Sequence, residues 1–168
     1  MSSLILDAST LILMAKLDLL EILIGQSSVD IPEAVKREAT IKPELDDARV
    51  IQRLIDEARI IVVKKQELSL IRTLETDFRL GEGEAQAIAL AKSKNTLLGV
   101  DDRLAIKTCK ILGVPFVTAL AFIVRFHEKK ILTQKQVLTK LEKLKQYGWY
   151  QKELLNKVAD DIQRSETK

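Results

Sequence analysis

Thr96-Leu97-Leu98-Gly99-Val100-Asp101-Asp102, a helical run over Leu104–Leu112, then Gly113 and Val114-Pro115-Phe116-Val117: this stretch decides the fold. Its first five residues make a short apolar strand that stops at two adjacent acids. The helical run ends at Gly113, a usual stop signal, and residues 114–117 make a second short strand. A strand, a helix and a strand in close succession form a crossover unit, the connection that parallel strands require.

The alternation continues outward. Upstream, Gly81-Glu82-Gly83-Glu84 opens an Ala-rich helical run, Ala85–Ala91, and another helix lies around Leu68–Leu74. Arg59-Ile-Ile-Val-Val63 is β-branched and strand-like. Residues 45–58 have the spacing of an amphipathic helix. Ile31-Pro32 opens a further helix, with Pro32 near the first helical position, where its missing N–H costs nothing. Leu4-Ile5-Leu6 is an apolar strand ended by Asp7, and Ser9 or Thr10 can cap a helix reaching about Leu23. Downstream, Ala119–His127 is helical and almost wholly apolar. Thr133 with Gln136 makes a capping box before a helix that turns Leu138, Leu141 and Leu144 inward. Gly148-Trp149-Tyr150 breaks that helix, and one more follows. The expected architecture is α/β: a parallel sheet of short strands covered by helices on both faces. Ligands in such sheets bind outside the carboxyl ends of the strands, where Asp7 and Asp101 both fall.

With 168 residues and 46% hydrophobic content, the chain has the size of one domain with one core. Its single cysteine, Cys109, excludes an intrachain disulfide and suits a reducing compartment; its apolar helical setting reads as a buried structural thiol. The N-terminus lacks the basic start of a signal peptide, and Asp7, Ser9, Thr10 and Lys16 interrupt its apolar run too early for a membrane span. A soluble, cytoplasmic protein is expected. Net charge is only +3, but residues from Lys129 onward carry ten Lys or Arg against five Asp or Glu, a net +5, on a body that is −2. That basic tail is suited to nucleic acid, or is a solvated helical face. The expected organisation is a body over residues 1–128 with a basic helical extension, 129–168, packed on it.

Four acidic positions stand out. Asp7 alone reads as a turn or cap residue. The Asp101-Asp102 pair places two repelling charges where capping needs one. Glu38 continues the inner stripe of Ile31, Ala34 and Val35, so it is either buried and in need of a cation, or solvated at the stripe's edge. Glu82 and Glu84 lie in a first turn, which the helix dipole favours by itself. Glu84 shares a face with Ile88 and should point inward, leaving Glu82 as the alternate. Oxygen-only ligands suit Mg²⁺ or Mn²⁺. With one Cys and one His (His127, in an apolar helix), a conventional zinc site is excluded, and no phosphate-binding glycine loop is present.

Taken in order, Leu-Ile-Leu-Asp7-Ala-Ser9-Thr, Ile-Pro-Glu-Ala-Val-Lys-Arg-Glu38, Gly-Glu-Gly-Glu84-Ala-Gln-Ala-Ile-Ala-Leu-Ala and Leu-Gly-Val-Asp101-Asp102 resemble the PIN-domain family. The nearest likeness is to a prokaryotic branch related to VapC-type toxins. The resemblance implies a three-layer α/β/α fold and hydrolysis of RNA phosphodiester bonds with Mg²⁺ or Mn²⁺. It puts the family's acidic quartet on Asp7, Glu38, Glu84 and Asp101, with Asp102 able to join or replace Asp101, and gives Ser9 a supporting role beside the first aspartate. Glu84 stands where many relatives carry Asp. Homodimerisation and a small antitoxin partner are further implications. The chemistry needs no side-chain nucleophile, because bound metal activates water; Arg103 and the tail lysines are candidates to bind the anionic substrate. Two other readings stand beside this one. The first is a catalytically silent PIN module that binds RNA or a protein. The second is a haloacid-dehalogenase-type phosphatase, suggested by Asp7-Ala-Ser-Thr10 but lacking that motif's second aspartate at position 9.

Overall fold

The computed structural model describes residues 3–165 and divides into two compact units, Met1–Thr118 and Ala119–Lys168. The division falls ahead of the first C-terminal helix, where the sequence suggested one near residue 128.

The first unit is built on five parallel strands: β1 (Ser3–Leu6), β2 (Ser28–Pro32), β3 (Ile60–Val63), β4 (Leu97–Gly99) and β5 (Phe116–Val117). Their order across the sheet is β3-β2-β1-β4-β5, and helices flank it: α1 (Ala8–Lys16), α2 (Leu20–Gln26), α3 (Glu33–Ala39), α4 (Asp46–Asp56), α5 (Leu68–Thr76), α6 (Glu82–Lys94) and α7 (Arg103–Leu112). This is the α/β architecture expected. Ile5, Leu6, Ile31 and Leu98 are wholly buried at its centre, together with Leu11, Met14, Ile51, Leu54 and Ile88 from the helices. Each such side chain contributes roughly 1.5–3 kcal/mol of burial. The small residues of α6, Gly83, Ala85, Ala87, Ala89 and Ala91, allow it to lie close against β1, β2 and β4, and α3 and α5 pack on it.

Strand order reverses between β1 and β4, which creates a crevice at their carboxyl ends. There Leu6 pairs with Gly99, and the Asp7 N–H donates to the Gly99 carbonyl at 3.0 Å. Asp7 therefore leaves the sheet beside the end of β4.

Three local readings are corrected. Residues 28–32 form the sheet's second strand, which the sequence reading lacked, and Pro32 ends that strand and caps α3 rather than lying inside the helix. Asp30 interrupts its apolar pattern and is buried, held by Lys94 Nζ at 2.5 Å. The first helix is two helices, broken at Leu17–Leu19 with Asp18 in the left-handed region (φ 55°). Its cap is Asp7, and Ser9 and Thr10 donate to that cap.

The second unit holds α8 (Ala119–Glu128), α9 (Gln134–Tyr147) and α10 (Lys152–Ser165), with α9 packed on both of the others. The expected capping box is present: Thr133 Oγ1 accepts from Gln136 N–H, and Gln136 Oε1 accepts from Thr133 N–H at 2.8 Å. No helix among the described residues is long and apolar enough to cross a membrane.

Candidate functional site

Asp7 is the most unusual acid of the chain. It is 1% exposed, one residue beyond the β1 terminus, and caps α1. Its Oδ1 accepts from the Thr10 N–H at 2.8 Å, and Ser9 Oγ lies 3.0 and 2.8 Å from the two carboxylate oxygens. No cation of the protein supplies a counter-charge among these contacts. Burial pushes its carboxyl from 3.8 up to about 7, opposed by the bonds from Thr10 and Ser9 and assisted weakly by the charge of Asp101.

The acidic doublet divides its work. Asp102, exposed, caps α7 by accepting from the Ala105 N–H at 2.8 Å. Asp101, half-buried, receives the Thr10 hydroxyl at 2.7 Å on Oδ2. Thr10, with no exposed surface, thus touches both Asp7 and Asp101 and joins the ends of β1 and β4. From the sequence Thr10 is a possible cap and part of Asp7-Ala-Ser-Thr10; a buried threonine between two acids has no signature in the chain alone. Arg103 follows as the exposed first residue of α7.

A second pair lies where α3 packs on α6. Of the two positions open to Glu38, the structure has the exposed one at the stripe's edge; Ala34, Val35 and Ala39 carry the buried stripe. Its carboxyl end is nevertheless crowded, because a Cβ on Gly83 would stand 2.7 Å from Glu38 Oε2. Desolvation, and then the charge of Glu84, raise its pKa above the usual carboxylate value. A Cβ on Gly81 would collide in turn with Glu84 Oε2. In the Gly-Glu-Gly-Glu run each glycine thus lies against a carboxylate, which in the observed rotamer takes the space a Cβ would fill.

Glu82 points elsewhere. It takes Arg37 of α3 in an exposed ion pair at 2.6 Å and accepts from Gln86 at 3.1 Å, while Gln86 Oε1 receives the Ala34 N–H. The trio clamps the start of α3 to α6 and so places Glu38 over Gly83. Glu33, the first residue of α3, was not singled out from the sequence; its Oε2 is buried without a hydrogen-bond partner.

The fold thus brings Asp7 to Asp101 and Glu38 to Glu84, as two pairs. As they stand, no three Asp, Glu, His or Cys side chains among the described residues are close enough to hold one metal ion together. The donor chemistry nevertheless fits a hard divalent cation, since the donors are carboxylate oxygens and buried Asp7 lacks a counter-charge.

No curated protein sequence matches the chain significantly. Among solved structures, the crystal structure of PAE2754 from Pyrobaculum aerophilum is similar at a TM-score of 0.58 and 18% identity, covering 76% of this chain and 98% of that one; at this identity the likeness concerns the fold. The family described as DUF3368: PIN domain matches residues 3–164, nearly the whole sequence. The chain belongs to the PIN-domain family, a nuclease fold.

Proposed function

We propose that this protein is a divalent-metal-dependent ribonuclease in which Asp7, Glu38, Glu84 and Asp101 hold Mg²⁺ or Mn²⁺. The observation that carries the reading is Asp7: a carboxylate buried at the sheet's switch point, linked through Thr10 to Asp101. Retaining a buried carboxylate with no counter-charge among its contacts is costly, and a cation offsets that cost.

Bound metal would supply an activated water and neutralise the scissile phosphate. The chain's own residues do the rest. Ser9 and the Thr10 N–H hold the Asp7 carboxylate in one orientation, and the Thr10 hydroxyl holds Asp101. Gly83 admits the Glu38 carboxylate to α6, and Asp102 fixes the start of α7 behind Asp101. Arg103 stands in solvent where it can meet a phosphate.

The catalytically silent alternative draws on one observation, the separation of the acids into two pairs. Incubating the purified protein with single-stranded RNA and Mn²⁺, alongside Asp7→Asn, decides between them. Metal-dependent cleavage lost in the variant supports the nuclease; RNA binding without cleavage supports the silent module. A toxin role, a small antitoxin partner and homodimerisation belong to the same proposal. Size measurements on the protein expressed with and without its neighbouring reading frame test them.

A further inference from the structure

The helix that begins directly behind Asp101-Asp102 carries three cations and no acid: α7 reads Arg103-Leu-Ala-Ile-Lys107-Thr-Cys-Lys110-Ile-Leu112. Positions 103, 107 and 110 are spaced four and three apart, so they form one line along a helix. The buried residues of α7 are Ala105, Thr108 and Cys109, on the opposite side, and all three cations are exposed.

A solvated helix face is ordinarily of mixed sign. On α4 of the same unit, Arg49 and Arg53 are paired with Asp46 and Glu57 of their own helix or its cap, and Arg37 and Lys94 meet acids on other elements. Arg103, Lys107 and Lys110 have no such partner among the described residues. At the far end of the line, Lys92 reaches the Leu112 carbonyl at 3.1 Å and adds a fourth positive charge. A row of one sign, in one line and directly behind the acidic crevice, is complementary to a polyanion.

We propose that the Arg103–Lys107–Lys110 line is a track for the backbone of single-stranded RNA, leading phosphates along α7 toward Asp101. The rise of about 1.5 Å per residue makes the row roughly 10 Å long, enough for a short run of phosphates. The contacts go to the backbone and so do not depend on base identity. This inference rests on the nuclease reading for the direction of the strand, but its binding component stands without metal.

The test is fluorescence anisotropy of a short labelled 2′-O-methyl oligouridine, which resists cleavage, titrated with full-length protein in EDTA over a series of salt concentrations. Two triple variants remove equal charge: Arg103→Gln with Lys107→Gln and Lys110→Gln on the track, and Lys64→Gln with Lys65→Gln and Arg72→Gln off it. A single strand contributes about 0.7 to the log–log salt slope per phosphate neutralised, so the track variant should lose about 2 from the slope and roughly tenfold or more in affinity at low salt. The off-track variant should change little. Equal loss in both would reduce the effect to overall charge and overturn the proposal. An unchanged slope in the track variant would overturn it too, and would leave the face to an acidic protein surface. The nuclease reading fails separately: wild-type protein that binds RNA through the track but never cleaves it with Mn²⁺ keeps the track and loses the nuclease.

Discussion

Thr10 and Asp101 are 91 positions apart in the chain, yet the threonine hydroxyl donates to the aspartate at 2.7 Å inside the crevice between β1 and β4. The same residue's backbone N–H donates to Asp7, so one buried residue, through its backbone and its side chain, sets the spacing of two acids at the ends of different strands. Replacing Thr10 by Val keeps the shape and removes the hydroxyl; Thr10→Ser keeps the hydroxyl. Outer-shell partners of this kind typically account for about 10–100-fold in metal affinity or activity. The valine variant should fall in that range for calorimetric Mn²⁺ affinity, with serine near wild type. Equal losses in both would mean that the methyl packing, and not the hydrogen bond, is what matters.

Asp7 dictates a pH dependence. Its folded-state pKa is raised, from 3.8 to about 7, because burial disfavours the charged form. Between those values the folded state holds a proton that the unfolded chain has released. The stability contributed by this group is therefore fully present below about pH 4 and is lost as pH rises to about 7, on the order of 4 kcal/mol in all. Asp7→Asn should remove the loss, so that metal-free protein at neutral pH melts higher in the variant than in wild type. Urea unfolding at a series of pH values measures this. A variant less stable than wild type at pH 7 would contradict the burial argument. The same substitution should abolish metal-dependent cleavage.

Metal should reverse that strain. A ligand selective for the native state stabilises by about 2.7 kcal/mol at a hundred times its dissociation constant. Melting temperature should rise with Mn²⁺ near neutral pH and rise less under acid conditions, where protons compete for Asp7 and Glu38, both raised in pKa. Wild-type melting indifferent to millimolar Mn²⁺ would count heavily against a carboxylate metal site.

Glu38→Gln and Glu82→Gln form a contrast on facing helices. The first should severely impair cleavage, because it removes charge from the Glu38–Glu84 pair. The second removes the charge from an exposed pair with Arg37, worth about 0–1 kcal/mol. It keeps an amide oxygen to accept from Arg37 and Gln86, so the clamp on α3 should largely persist. If cleavage falls equally in both, Glu82 is more than a clamp.

Gly83→Ala and Gly25→Ala test the steric account of the glycines. Alanine at 83 would press on the Glu38 carboxylate and should impair cleavage while the helix itself gains propensity. Alanine at Gly25, in α2 with nothing near the added carbon, should stabilise by roughly 0.5–1 kcal/mol and leave activity alone. Thermal melts and RNA cleavage on the two proteins separate these outcomes.

Much of this architecture was legible because its signals are local. Short β-branched or leucine-rich runs between amphipathic segments marked four of the five strands, and Thr133 with Gln136 marked the start of α9 within a single turn. Asp7 and Asp101 were visible as acids ending apolar strands, and strand ends in a parallel sheet share an edge. β2 was missed because Asp30 breaks its apolar run, and the lysine that makes that charge tolerable lies 64 residues away. The break between α1 and α2 was missed because no proline or glycine marks it. Only tertiary structure decided that Asp7, and not Ser9 or Thr10, caps α1: all three can cap, and the bond from Asp7 N–H to the Gly99 carbonyl selects one. The position of Glu38 was decided in the same way. A helical stripe tells which residues turn inward, but what an acid at its edge meets depends on the facing helix, and here that is the bare backbone of Gly83. Local sequence thus determined the elements and the acids they carry, while the pairing of those acids waited on contacts between residues far apart in the chain.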